Sequence, residues 1–128
     1  LWPFTVEREN EIIGDPALER LLDSSEVDLY LSGHHHAYYP GQIEAFSVIS
    51  QAELGGGSKR LIGTEQTGPK SITLLDISQD GTIRVSTLKG PDFQIPVDIR
   101  TLPERLNTPE RVIRRIDTVP SGAVGLAD

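Results

Sequence analysis

A helix followed directly by a strand, over residues 14–33, is the feature that most constrains the fold. "GDPALERLLDSS" begins with Asp15, a good helix cap, and with Pro16, whose missing N–H is harmless at the first helical position. Three leucines after it recur at i, i+3 and i+4, which gives one apolar stripe. "VDLYLSG" then alternates apolar and polar residues from Val27 to Ser32, the period of a strand. This order of elements predicts an α/β fold.

The remaining pattern favours antiparallel strands. Asp80 and Gly81 form a strong hairpin signal between two apolar segments. We therefore expect Ser71–Ser78 and Thr82–Leu88 to pair in antiparallel fashion. Ile43–Ser50 reads as one further strand. With no helix indicated between residues 43 and 88, these segments predict a mostly antiparallel sheet.

The two ends of the chain carry weaker signals. "LWPFTVEREN" reads as a packed, non-helical segment, because Trp2 and Phe4 surround a proline. "TPERVIRRID" fits either a short helix capped by Thr108 or an edge strand. Its arginines predict a solvated face or intramolecular partners for carboxylates. Residues 118–128 read as a loose tail.

Composition excludes several classes of protein and of site. The chain holds 12 Lys and Arg against 19 Asp and Glu, a formal charge of -7. That balance argues against non-specific nucleic-acid binding, which needs clustered positive charge. No uncharged apolar run approaches the roughly 20 residues that span a bilayer. Cysteine is absent, which excludes disulfides and thiolate metal sites.

All three histidines follow the predicted strand at once, as His34, His35 and His36. In extended backbone, His34 and His36 would point one way and His35 the other. Neutral imidazole is the commonest protein ligand for ions such as zinc and iron, so His34 and His36 are a candidate metal-ligand pair. Two ligands do not complete a site, and the others would be carboxylates or lie outside this chain. A solvent-exposed, pH-sensitive turn is the alternative interpretation.

Two neighbouring segments offer further candidates. In "GGGSKR", glycine N–H groups with Lys59 and Arg60 would suit a phosphate if this loop folds back beside the histidines. A flexible connection between strands is the simpler interpretation of the same loop. Tyr38, just past the histidines, fits either a hydroxyl donor in a cleft or ordinary packing beneath the turn.

The stretch "VDLYLSGHHHAYYPG", with Gly33 to His36 at its centre, resembles the last motif of calcineurin-like metallophosphoesterases. In that family a helix and an apolar strand lead to Gly-His-x-His. The resemblance implies a phosphatase-like hydrolase with two divalent ions, Mn, Fe or Zn, in a four-layer α/β/β/α sandwich. His34 would bind one ion and His36 the other, and His35, at the variable position, would contact solvent or substrate. The implied substrate is a phosphorylated small molecule or macromolecule.

The other motifs of that family are absent from this sequence: Asp-x-His, Gly-Asp-x-x-Asp, Gly-Asn-His-Asp/Glu and a lone histidine. We therefore expect a C-terminal portion of such an enzyme, with residues 1–117 in its domain and a missing N-terminal half as partner. Alone, the chain is expected to hold no catalytic residue, to bind metal partly or not at all, and to be inactive. Surface left uncovered by the missing half would favour oligomerisation. The alternative is a non-catalytic, antiparallel β-rich domain that binds a partner beside an exposed histidine turn.

Overall fold

The computed structural model describes residues 2–119 and 123–127. This part of the chain forms one α-helix and nine strands in two mixed sheets, so the α/β prediction is confirmed. None of its helices is long and apolar enough to cross a membrane. In chain order the elements are α1 (Pro16–Ser24), β1 (Leu29–Ser32), β2 (Tyr39–Ile43), β3 (Phe46–Ser50), β4 (Ser71–Ile77), β5 (Ile83–Lys89), β6 (Ile95–Pro96), β7 (Arg105–Asn107), β8 (Val112–Arg115) and β9 (Val124–Leu126), with 3₁₀ helices at Ile99–Thr101 and Ile116–Thr118.

The predicted helix–strand unit is present. The Asp15 carboxylate accepts a hydrogen bond from the Ala17 N–H at 2.9 Å, which caps α1 as expected. The N-terminal segment packs against this unit, and the Trp2 indole N–H donates to Glu19 on α1 at 3.1 Å. β1 follows and pairs in parallel with β3, in a five-stranded sheet of order β1-β3-β2-β8-β7.

The stretch predicted as one strand over Ile43–Ser50 belongs to two strands. β2 ends at Ile43, the chain reverses at Glu44, which has a left-handed φ of 51°, and β3 begins at Phe46. β2 and β3 therefore form an antiparallel hairpin. The sequence concealed β2 because it contains Pro40 and Gly41, two residues that strands usually exclude.

Gly41 is required by close packing within the first sheet. A Cβ atom there would lie 2.7 Å from Cγ2 of Ile113 on β8 and 3.3 Å from the Tyr39 ring. We expect Gly41→Ala to lower the free energy of unfolding by about 1–3 kcal/mol, measured by urea denaturation, because the core must move apart. Gly125→Ala on β9 is the matched control, since a Cβ there meets nothing within 4 Å. Equal stability of the two variants would contradict this prediction.

The second sheet is built on the predicted hairpin. β4 and β5 pair in antiparallel fashion, and the turn between them contains Asp80 and Gly81, whose φ is 89°. β9 pairs with β5 in parallel, and Val124 is buried. The expected loose tail is therefore wrong for Val124–Leu126, which are held by backbone hydrogen bonds. Residues 120–122 and 128 of that tail lie outside the described part.

The segment over residues 108–117 is neither a helix nor an edge strand. β8 lies between β2 and β7, with Ile113 fully buried. Arg115 is only 7% exposed and pairs with a carboxylate, so of the two predicted roles, solvated face or intramolecular carboxylate partner, the second holds at this position. Its guanidinium donates to the Asp117 carboxylate at 2.6 and 3.1 Å. It also donates to the carbonyls of Ile99 and Leu102, at 3.1 and 2.7 Å.

Two apolar clusters hold the sheets. The first packs the N-terminal segment on the first sheet, as predicted, and includes Trp2, Phe4, Tyr39, Phe46 and Ile113. The second joins side chains of both sheets and includes Tyr38, Ile49, Ile83, Val85 and Val124. Because consecutive residues of a strand face opposite sides, Tyr38 and Tyr39 enter different clusters. The turn that precedes them is therefore anchored from both sides.

Candidate metal centre

The histidine turn lies at the carboxyl end of β1, the strand that runs parallel to β3. Ligands in α/β sheets commonly bind beyond the carboxyl ends of strands. The turn is not extended, however: φ is 75° at His34 and 58° at His36. The prediction that extended backbone aims these two side chains together does not describe this geometry. Each of the three imidazoles has different neighbours.

His35 is a buried structural residue. Its side chain lies in the interior, and the whole residue is 3% exposed. Nδ1 accepts from the backbone N–H groups of Thr5 and Phe4, at 3.3 and 3.4 Å, so Nε2 carries the proton and donates to the Glu11 carbonyl at 3.4 Å. Burial lowers the pKa of His35 and keeps its ring neutral. We therefore assign His35 to fixing the turn rather than to contacting substrate.

His36 is held in one tautomer by the segment over residues 55–60, here called the glycine loop. Its Nδ1 lies 2.8 Å from the carbonyl oxygen of Gly57, which can only accept, so Nδ1 carries the proton. Nε2 is then the nitrogen with a lone pair. This is the usual arrangement of a metal-ligating histidine, whose other ring nitrogen donates to a carbonyl or carboxylate. Gly56 has a left-handed φ of 76°, and a Cβ there would lie a tight 3.2 Å from Cε1 of His36, so glycine suits this position.

His34 is exposed and engaged by charged neighbours. Its Nδ1 lies 3.1 Å from a guanidinium nitrogen of Arg8, which also donates to the His34 carbonyl. Because a guanidinium only donates, Nδ1 accepts, and the protonated Nε2 faces the Glu11 carboxylate at 3.5 Å. A metal ion could bind Nδ1 of His34 only after Arg8 moves away.

The glycine loop folds back beside the histidines. Its predicted role in phosphate binding requires this position. Lys59 donates its backbone N–H to the His36 carbonyl at 3.0 Å. Arg60 instead pairs with Glu7, whose carboxylate accepts from both its side chain and its backbone at 2.8 and 3.0 Å. These hydrogen bonds anchor the loop, so it is not the flexible connection that the simpler interpretation predicted.

Tyr38 is packed rather than presented to a cleft. It is 6% exposed and belongs to the second apolar cluster. Burial raises the pKa of its hydroxyl, so the side chain stays neutral. This placement agrees with packing beneath the turn, the simpler of the two interpretations.

An apolar cleft of about 480 Å³ adjoins the turn on the side of the second sheet. Its lining includes Leu31 and Gly33, just before His34, and Leu54, just before the glycines that contact His36. Leu31 and Leu54 are 59% and 62% exposed. Sequence reasoning missed this cleft, because alternation in β1 predicted a buried Leu31 and gave no signal for the approach of β4.

Four charged residues around the turn were also missed: Arg8, Glu11, Glu53 and Lys70. Nothing in their spacing indicates proximity to the histidines, since they come from three segments, one with Arg8 and Glu11, that only the fold brings together. Among residues 2–119 and 123–127, no group of three or more His, Asp or Glu side chains is arranged to hold a metal ion. Comparisons with protein-family models, with curated proteins and with solved structures found no match to this chain.

Proposed function

We propose that this chain is the C-terminal segment of a calcineurin-like metallophosphoesterase domain and supplies two histidine ligands, His34 and His36, to a binuclear centre. The observation that carries the proposal is the hydrogen bond from Nδ1 of His36 to the Gly57 carbonyl. It leaves Nε2 with its lone pair, at the carboxyl end of a parallel strand, in a turn of the sequence Gly-His-x-His.

When bound, two divalent ions (Mn, Fe or Zn) would supply polarisation of a phosphate ester and an activated water molecule. His36 fits a ligand role as it stands, and His34 fits it once Arg8 withdraws from Nδ1. Arg8 and Lys59 lie beside the turn, where their positive charge suits a phosphorylated substrate. The remaining ligands and the other layers of an α/β/β/α sandwich would come from an N-terminal half of the same enzyme.

The proposal is tested by the sequence encoded upstream of residue 1 and by the activity of the longer protein. We expect Asp-x-His and Gly-Asp-x-x-Asp upstream. In that longer protein, His34→Ala and His36→Ala should each lower hydrolysis of bis-p-nitrophenyl phosphate with Mn²⁺ by about a hundredfold or more, because a metal ligand is lost. Asp76→Ala, an exposed change on β4, is the control and should keep full activity.

Two results would contradict this proposal. One is an upstream sequence without the aspartate motifs. The other is Mn²⁺-dependent turnover by residues 1–128 alone at a rate typical of an enzyme, since this chain has no carboxylate group placed to complete the centre in its described part.

A second candidate function, partner binding, is favoured by the cleft beside the turn. Leu31 on β1, an edge strand of the first sheet, and Leu54 in the loop after β3 expose apolar surface there. Exposed apolar patches next to an open strand edge commonly mark interaction surfaces. Calorimetric titration of Zn²⁺ into the longer protein, and into its His34→Ala, His36→Ala double variant, separates the two candidates. Metal binding that disappears in the double variant supports the phosphoesterase, and no binding in the longer protein supports the partner-binding domain.

A further inference from the structure

Glu53 is a buried carboxylate in a place where burial destabilises the fold. Its side chain is 3% exposed, and its Oε2 atom has no hydrogen-bond partner within the described residues. A buried charge with an unpartnered oxygen is unfavourable compared with an apolar side chain of similar size. The preceding residue, Ala52, is buried and apolar. The position therefore calls for a role other than stability.

The contacts of Glu53 all lead to the glycine loop. Its Oε1 atom accepts a hydrogen bond from the Ser58 hydroxyl and lies 3.5 Å from the ammonium nitrogen of Lys70. The same ammonium group donates to the Gly56 carbonyl at 2.7 Å. Two links thus start at one carboxylate and reach the loop at Gly56 and at Ser58.

The residue between these two links is Gly57, whose carbonyl accepts from Nδ1 of His36. Glycine backbone is intrinsically free to rotate, so a carbonyl in a run of three glycines has no fixed direction of its own. Links on both sides of Gly57 restrict that rotation. Both links meet at Glu53, and the backbone N–H of Lys59 adds a further contact from the same loop to the His36 carbonyl.

We infer that Glu53 is a positioning residue, which through Ser58 and Lys70 aims the Gly57 carbonyl at His36 and so keeps Nε2 of His36 free to bind a metal ion. The importance of this role for hydrolysis rests on the proposed function. The tautomer itself is a property of the metal-free protein.

The test is to read the three histidine side chains by ¹⁵N-detected NMR of the metal-free protein, at a pH about 1.5 units above the ordinary imidazole pKa of ~6.5. We expect His36 in the Nδ1–H form in the wild type. In Glu53→Gln and in Lys70→Met, His36 should exchange between both tautomers. In the longer protein, the Zn²⁺ affinity of both variants should fall by roughly 10–100-fold, the usual effect of losing such a support. Lys89→Met, which removes a lysine of β5 and leaves both links of Glu53 in place, should change neither.

His35 provides an internal control for folding, since its hydrogen bonds to the N-terminal segment exist only in the native core. If Glu53→Gln fails to fold, Lys70→Met decides the question, because the Lys70 side chain is 41% exposed. An unchanged His36 tautomer in a folded Lys70→Met variant overturns the inference. A tautomer shift in the two variants, together with no Zn²⁺ binding by the longer protein, supports the positioning role and counts against the proposed function.

Discussion

Phe4→Ala is expected to lower the free energy of unfolding by about 3–5 kcal/mol, the range for removing a fully buried phenyl ring. Phe4 is 0% exposed, and its ring lies 6.4 Å from the Tyr39 ring and 6.0 Å from the His35 ring, centroid to centroid. The loss has two sources, the transfer of the ring from water and the cavity that its removal leaves. Urea denaturation, with the slope checked for two-state behaviour, measures the change.

This variant also tests how the histidine turn is held. The backbone N–H groups of Phe4 and Thr5 donate to His35, so a loosened N-terminal segment should release that imidazole. We expect faster exchange of the His35 side-chain proton in Phe4→Ala. Ile77→Ala on β4 is the matched control, because Ile77 is 65% exposed and its loss should change stability by less than about 0.5 kcal/mol. Similar stability of these two variants would show that the N-terminal segment does not pack as described.

Arg115→Ala is expected to lower the free energy of unfolding by about 3 kcal/mol, the scale for breaking buried charge-assisted hydrogen bonds. Arg115 links the end of β8 to the 3₁₀ helix at Ile99–Thr101, and its removal leaves the Leu102 carbonyl and the Asp117 carboxylate without this donor. Asp117 is partly exposed, so water compensates for some of the loss. Thermal and urea unfolding measure the effect.

The adjacent Arg114 provides the control for this prediction. It lies on the same strand, but its side chain points to the opposite, exposed face. Arg114→Ala should therefore change stability by no more than about 0.5 kcal/mol. Arg115→Lys should recover only part of the loss, because an ammonium group cannot make the two parallel bonds that the guanidinium makes to Asp117. Full recovery by lysine would mean that charge alone, rather than the planar geometry, matters here.

Elements predicted from local signals are present in the structure, although the alternation of β1 wrongly predicted a buried Leu31. The capped helix α1, the strand β1 and the hairpin of β4 and β5 each contain their own determinants: a cap, a period or a turn sequence. β2 and β9 were missed because their residues, rich in proline and glycine or set in a tail, have little strand preference of their own. Both are stabilised by hydrogen bonds to distant strands, β8 and β5, which no local pattern shows.

The sequence by itself determined that every histidine lies in one turn after a strand, and that this turn resembles Gly-His-x-His. Only the tertiary structure decided what each imidazole does. His35 is buried because the N-terminal segment covers it, and His34 faces Arg8. His36 has a free Nε2 because the Gly57 carbonyl holds its other nitrogen. The physical reason is that the tautomer of an imidazole follows from the partners around it, and here those partners come from loops 21 to 31 residues away.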